Sequence, residues 1–178
     1  MKHILALALA LIATTVVAQT PSKVDYKAFL KLAIEVQPHR AERLVTIEEF
    51  NEMSSQENVI ILDTRSKAMY DAKHVAGAIH LNFSDFTQGA LEALIPSKDT
   101  RILIYCNNNF DDDEQYFPTK GFAPSNEPAN EELTLALNIP TYINLYGYGY
   151  KNVYELSELI SIYNERVTLE GTQVLEGM

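Results

Sequence analysis

A single thiol sits where a hydrophobic run stops. Cys106 is the one cysteine among 178 residues; it follows Arg101-Ile-Leu-Ile-Tyr105 and precedes the polar Asn107-Asn108-Asn109. The run has the length and composition of a buried strand. The thiol therefore falls at a strand's carboxyl end, where open α/β sheets collect ligands and reacting groups. Once ionised, a thiol so placed is a nucleophile toward sulfur or carbon. A lone cysteine also serves as a small buried hydrophobe, and that reading stands beside the chemical one.

A second apolar run, Val59-Ile-Ile-Leu-Asp63, leads into Thr64-Arg65, a short helical stretch over 66–71 and the segment His74-Val-Ala-Gly-Ala-Ile-His80-Leu81. This order resembles the rhodanese family of sulfurtransferases. Its pattern is a strand ending Asp-x-Arg, a short helix with Tyr, the segment His-Ile-Pro-Gly-Ala-Ile, and a later strand ending in the catalytic Cys. Asp63, Arg65, Tyr70, His74, Gly77, Ala78, Ile79 and Cys106 fall into that pattern, and Gly149-Tyr-Lys-Asn-Val-Tyr154 matches the entry to the family's last sheet strand. The resemblance spans roughly residues 44–154. It implies that Cys106 is the nucleophile, passing sulfur through a persulfide, with Asp63, Arg65 and His74 bracing the site. It also implies a small sulfur donor or thiol acceptor as partner, and no cofactor.

The chain departs from the family after Cys106. The resemblance implies a six-residue loop whose amides cradle the sulfur and run directly into a helix, with Arg side chains attracting anionic donors. Here the loop is Asn107, Asn108, Asn109, Phe110 and Asp111, with Asn107 and Asp111 at positions of loop cations. Asp112, six residues after Cys106, stands where the related Cys-x5-Arg phosphatases carry Arg, which argues against phosphatase chemistry. Each carboxylate within roughly 8 Å of the sulfur opposes an anionic donor by about 1 kcal/mol at an effective dielectric of ~40. Weak use of thiosulfate is therefore expected, with a neutral or thiol-based donor less penalised. Lys120 replaces the missing cations only if it folds back onto the thiol. Residues 110–139 read as an acidic, Pro-rich insertion, and 140–146 as the delayed post-loop helix, begun by Pro140 and stopped by Gly147 and Gly149.

Several elements must position these residues. Val24, Leu30 and Ile34 predict an amphipathic helix over 24–36 outside the sheet. Residues 43–45 read as a first strand, and Thr46 with Glu49 as a capping box for the next helix. Strands over 59–63 and 101–105, with a helix around 91–94 between them, complete the alternation. The expected fold is α/β: a single rhodanese-like domain with a central, mostly parallel sheet and helices on both faces. The organisation reads as a leader (1–18), a helical extension (19–40), the domain (41–165) and a tail (166–178).

The leader has a basic start at Lys2, an apolar stretch over 4–13, and Val16-Val-Ala18 before Gln19, the pattern of a cleaved secretory signal. It is shorter than the roughly 20 residues that span a bilayer, so no stable membrane anchor is expected. A periplasmic or secreted location follows. Without residues 1–18 the chain carries 13 basic and 24 acidic side chains, a formal charge of −11. Such a charge repels phosphate backbones and anionic lipid headgroups, so nucleic acid is an unfavoured partner. In an oxidising compartment Cys106 has no internal disulfide partner.

Asn107, Asn109, Asp111 and Asp113 alternate like calcium ligands, but the EF-hand template lacks its Gly and terminal Glu, so no metal is assigned and a solvated acidic loop is expected. His39 stands outside any motif and reads as surface. Tyr142, Tyr146, Tyr148, Tyr150 and Tyr154 cluster, which fits helix-on-sheet packing or a partner-binding patch. Two functions remain open: a sulfurtransferase or sulfur carrier using Cys106, and a catalytically silent rhodanese-like module that binds a protein partner through the insertion and the tyrosines.

Overall fold

The computed structural model describes residues 20, 22–122, 133–134 and 136–174. The expected leader lies outside these, as do Pro124 and Pro128 of the insertion and the last four residues of the tail. Asp25 opens α1 (Tyr26–Ala41) by accepting the Ala28 N–H at 2.9 Å. After β1 (Leu44–Val45), both halves of the capping box form at the start of α2 (Ile47–Ser54): Glu49 N–H donates to Thr46 Oγ1 at 3.3 Å, and Thr46 N–H to Glu49 Oε2 at 2.9 Å. Then come β2 (Val59–Asp63), α3 (Lys67–Ala72), β3 (His74–Val75), β4 (Ile79–His80), α4 (Gln88–Leu94) and β5 (Arg101–Tyr105). Beyond Cys106 lie β6 (Phe110–Asp111), β7 (Gly121–Phe122), β8 (Leu133–Thr134), α5 (Asn138–Gly147), β9 (Val153–Leu156), β10 (Ile160–Ser161) and β11 (Leu169–Glu170).

Five strands pair, all in parallel, in the order β1, β9, β5, β2, β4. β5 is central and pairs along its whole length with β2, from Val59 opposite Arg101 to Asp63 opposite Tyr105. Its side chains alternate between two cores. Ile102 and Ile104 pack with Val36, Leu91, Tyr142 and Leu145 on the α1, α4 and α5 face. Leu103 and Tyr105 pack with Phe50, Ile61, Phe110 and Phe117 on the α2 face. Burial of both faces is why the strands read as unbroken apolar runs, each fully buried Leu or Ile contributing about 1.5–3 kcal/mol. The expected α/β fold with its parallel sheet is the observed one.

Three features differ from the sequence reading. α1 runs to Ala41, through Pro38, and is joined to the domain by Val36 in the core and by Arg40, which donates to both carboxylate oxygens of Glu155 in β9 at 2.6 and 2.5 Å. The start of the insertion is not a solvated loop: Phe110 and Phe117 are buried, and β6 pairs in parallel with β10. Residues 166–174 of the expected tail are also fixed. β11 pairs antiparallel with β3, and the N–H groups of Thr172 and Gln173 donate to the Asp71 and Ala72 carbonyls at 2.9 Å each.

Candidate functional site

β5 delivers Cys106 to the carboxyl edge of the sheet, but not into solvent. Cys106 is 0% exposed. The start of α5 covers it: Ala136 is buried, and the Leu137 N–H donates to Sγ at 3.2 Å. The neighbouring Asn107 N–H also favours the charged form of the sulfur. These two amides form a small nest of partial positive charge. Burial nevertheless raises the thiol above its ordinary pKa; the two amides and the Arg65 charge act in the opposite sense without overcoming it. In this conformation Cys106 is a closed, mostly protonated thiol.

The polar loop serves as a latch. Asn109, nearly fully buried, accepts from Cys106 N–H and from Asn138 Nδ2, both at 2.9 Å. Its own amide donates to the Leu156 carbonyl at 2.8 Å and the Glu158 carbonyl at 3.1 Å. One side chain thus ties together the end of β5, the end of β9 and the first residue of α5. Asn108 pairs with both main-chain groups of Lys120, its Oδ1 accepting at 2.7 Å and its Nδ2 donating at 2.8 Å. Asn107 is buried, and its Oδ1 has no hydrogen-bond partner among the described residues. Phe110 turns away from the thiol into the α2-face core, beside Tyr105 and Phe117. Asp111 is exposed.

The electrostatics differ from the sequence-based expectation. The charged groups that weigh most on the thiol are Arg65 and Asp63, and neither Asp111 nor Asp112 is among them. Asp113 is committed elsewhere, to Lys73 Nζ at 2.6 Å with both side chains more than nine-tenths buried. With Asn109 Oδ1 and Asp113 both engaged in separate directions, the alternating oxygens do not converge as cation ligands. Among the described residues there is no cluster of three metal-binding acidic, His or Cys side chains.

Behind the thiol, Asp63 and Arg65 form a buried ion pair. Arg65 donates from Nη2 to Asp63 Oδ2 at 2.7 Å, and Nε lies 3.0 and 3.1 Å from the two carboxylate oxygens. Two further guanidinium donors reach the carbonyls of Lys73 at 2.6 Å and Tyr116 at 3.0 Å, while Cζ lies 4.3 Å from the Phe117 ring centroid. Burial opposes the Arg65 charge, but the hydrogen bonds and attraction to Asp63 outweigh it and hold the group above its usual value. Tyr105 O–H donates to Asp63 at 2.5 Å, and burial followed by the Asp63 charge pushes that phenol far up, so it stays neutral. Asp63 and Arg65 therefore brace the strand end and strap down residues 116–117.

His74 stacks on Tyr70 with centroids 3.9 Å apart, its Nδ1 lying 2.6 Å from the Tyr70 carbonyl oxygen, and His80 Nε2 meets the Arg65 carbonyl at 2.9 Å. Neither contacts the sulfur. His39, expected at the surface, is half-buried with Nδ1 2.9 Å from Tyr142 Oη, and burial, then the Arg43 charge, lowers its pKa. The tyrosines of the cluster are largely engaged within the molecule: Tyr142 O–H donates to the Val153 carbonyl, Tyr146 O–H to Glu35, and Tyr150 lies buried under Lys98. The site residues missed in the sequence are Leu137 and Asn138, whose only signal was their place just ahead of Pro140, and Tyr105.

Beside the latch opens a cleft of about 320 Å³ lined by Arg40, Asn108, Asn109, Asn138, Glu155 and Ser157, among others. Cys106 is not in its wall. Asn109 and Asn138, bonded to each other, line this cleft while Asn109 holds the Cys106 main chain.

The family model for the rhodanese-like domain matches residues 46–158. The chain belongs to the rhodanese-like domain family. Search of curated proteins gives no match. Among solved structures, the BH2092 protein from Bacillus halodurans is similar at 17% identity, with a TM-score of 0.47, covering 81% of this chain and 88% of that one. Membership in the rhodanese-like family supports a sulfur-related role at the level of the domain. What distinguishes this rhodanese-like domain is that its sulfur nest borrows an amide from Leu137, 31 residues after the cysteine. Among the described residues no helix is long and apolar enough to cross a membrane.

Proposed function

We propose that this rhodanese-like protein is an extracytoplasmic sulfur carrier in which Cys106 accepts sulfane sulfur as a persulfide. The observation that carries the reading is the hydrogen bond from the Leu137 N–H to Cys106 Sγ at 3.2 Å, with the Asn107 N–H acting in the same sense. Such donors stabilise negative charge on sulfur. In the reaction, the Cys106 thiolate attacks the outer sulfur of a donor persulfide, R-S-S-H. The new S–S bond forms as the donor's S–S bond breaks, and the thiolate R-S⁻ leaves and takes up a proton. Sulfane sulfur moves from one thiol to another with no net redox change. Reaction requires the buried Ala136 to move aside while the Leu137 N–H stays on the sulfur, so transfer is slow in the closed form. Without cationic side chains in the loop, thiosulfate is a poor donor and a neutral or thiol-based persulfide a better one.

A second reading, a catalytically silent module that binds a partner protein, is favoured by one observation: complete burial of a thiol whose pKa is raised. The two readings separate by intact mass. The chain beginning at Gln19 is exposed to polysulfide and, separately, to thiosulfate, with Cys106→Ser as control. One added sulfur from polysulfide on the wild type alone supports the carrier. No added sulfur from either donor, while a small alkylating reagent does reach Cys106, refutes it in favour of the module.

A further inference from the structure

α1 buries one side and leaves the other apolar as well. Val36 is buried and Leu32 and Ala33 pack on the core, whereas Tyr26, Leu30 and Ile34, spaced by four on the outward side, are 76%, 46% and 62% exposed. Phe29 and Val24 at the same end are also exposed. Three of the chain's lysines, Lys23, Lys27 and Lys31, flank this stripe, all exposed and without ion pairs among the described residues. Residues 23–41 hold four basic and two acidic side chains, in a chain whose overall charge is −10. α5, packed alongside, contributes no acid, and Lys151 just beyond it lies over Tyr146. The two acids here are Asp25, which caps the helix, and Glu35, which accepts from Tyr146.

We infer that the outward face of α1 docks this protein reversibly on an anionic lipid surface. An apolar stripe edged by lysines is the pattern of an interfacial helix: the apolar residues enter the headgroup boundary while the ammonium groups reach lipid phosphates. Tyr26 suits the boundary, with a ring for the apolar side and a hydroxyl for water. The acidic remainder repels such a surface at long range, but screening over about 8 Å leaves the nearest charges decisive. A two-fold pairing of two copies through the same stripe fits less well, because it crowds the lysines of both copies along one seam. This inference is independent of the chemistry of Cys106.

The test is flotation of the chain beginning at Gln19, which retains every contact described here, with vesicles of phosphatidylglycerol and phosphatidylcholine in equal parts and with phosphatidylcholine alone. Binding is expected to the anionic vesicles, and to fall as salt rises from about 0.1 M to about 1 M, where screening shortens from about 10 Å to about 3 Å. Each lysine near the surface changes partitioning about fivefold, so Lys27→Gln with Lys31→Gln is expected to weaken it about 25-fold. Leu30→Ser with Ile34→Ser is expected to abolish it. Both pairs lie on the exposed side, and circular dichroism checks that the fold is kept. Absence of binding to anionic vesicles at low salt, or unchanged partitioning of the lysine variant, overturns the inference. A dimer in sedimentation that Leu30→Ser with Ile34→Ser dissolves, with no flotation, also overturns it and assigns the stripe to a second copy.

Discussion

Asn109→Ala should unlatch the thiol. The Asn109 side chain makes four hydrogen bonds in a nearly dry setting: from Cys106 N–H, from Asn138, and to the carbonyls of Leu156 and Glu158. Truncation orphans the Cys106 N–H, the Asn138 amide and the Leu156 carbonyl, each at about 1–1.5 kcal/mol, the low end for an unsatisfied buried group. The sum is about 3–4.5 kcal/mol, which for a chain of this size lowers Tm by about 6–18 °C. The same bonds hold the strand end against α5, so their loss lowers the free energy of the local opening that admits a reagent. If opening precedes alkylation, a change of about 3 kcal/mol speeds labelling of Cys106 on the order of 100-fold. Urea unfolding gives the first quantity and mass-detected alkylation below the denaturation midpoint gives the second. A loss of stability under 1 kcal/mol refutes the latch. A full loss of stability with unchanged labelling refutes its control of access to the sulfur.

Other perturbations test the supports of the site. At Gly171, φ is +133° and an added Cβ would lie 2.4 Å from the Ala72 carbonyl oxygen, so Gly171→Ala is expected to cost about 1–3 kcal/mol and to release residues 171–174, read as proteolytic clipping at the carboxyl end. Lys73→Met leaves Asp113 buried without its partner at a cost of about 3–5 kcal/mol in urea unfolding, whereas Lys73→Met with Asp113→Leu recovers most of it. Alkylation of Cys106 should lag a model thiol at neutral pH, and the lag should narrow as pH rises past the model thiol's own pKa, because burial favours the protonated form. By linkage, the same shift stabilises the fold below the unfolded thiol's pKa. That contribution is lost as pH rises through the folded value, so alkaline titration of wild type against Cys106→Ser should show wild-type stability falling faster.

The sequence made the frame legible because the frame is local. The β2 and β5 runs, the Thr46–Glu49 box, the Asp63-x-Arg65 pair and Cys106 at the end of its apolar run each declare themselves within a few residues. What it hid is long-range. Nothing near Asn109 says that its amide spans to Leu156 and Glu158, about 50 positions away, so it read as one residue of the loop after Cys106. Asp113 read as one more solvated acid because its partner, Lys73, is 40 residues earlier. Phe117 gave no sign that it would lie on Arg65. The expectation that Asp111 and Asp112 repel anions at the sulfur rested on loop counting, and the loop they were counted along is not formed: Phe110 enters the core and takes the acidic run toward β10.

That rerouting separates two tasks that the family pattern places on one loop. The resemblance implies a loop whose amides hold charge on the sulfur and whose side chains attract the donor. Here the first task survives in reduced form, because α5 still presents an N–H to Sγ even though its chain arrives after the insertion. The second is gone, since the first loop position is a buried Asn107 and the next is an Asn108 tied to Lys120. Arg65 offers the thiol a positive charge, but four of its five N–H donors are engaged by Asp63, Lys73 and Tyr116 and the side chain is buried, which leaves it poorly placed to bind a donor's oxygens. A site that keeps the amide and loses the free cation discriminates donors by charge rather than by sulfur chemistry. Thiosulfate, a dianion, then loses more than a persulfide carrying one charge or none, and the difference should shrink as salt screens it. The rates of sulfur loading from the two donors across ionic strength measure that difference directly, and equal rates at low salt would show that charge does not select the donor.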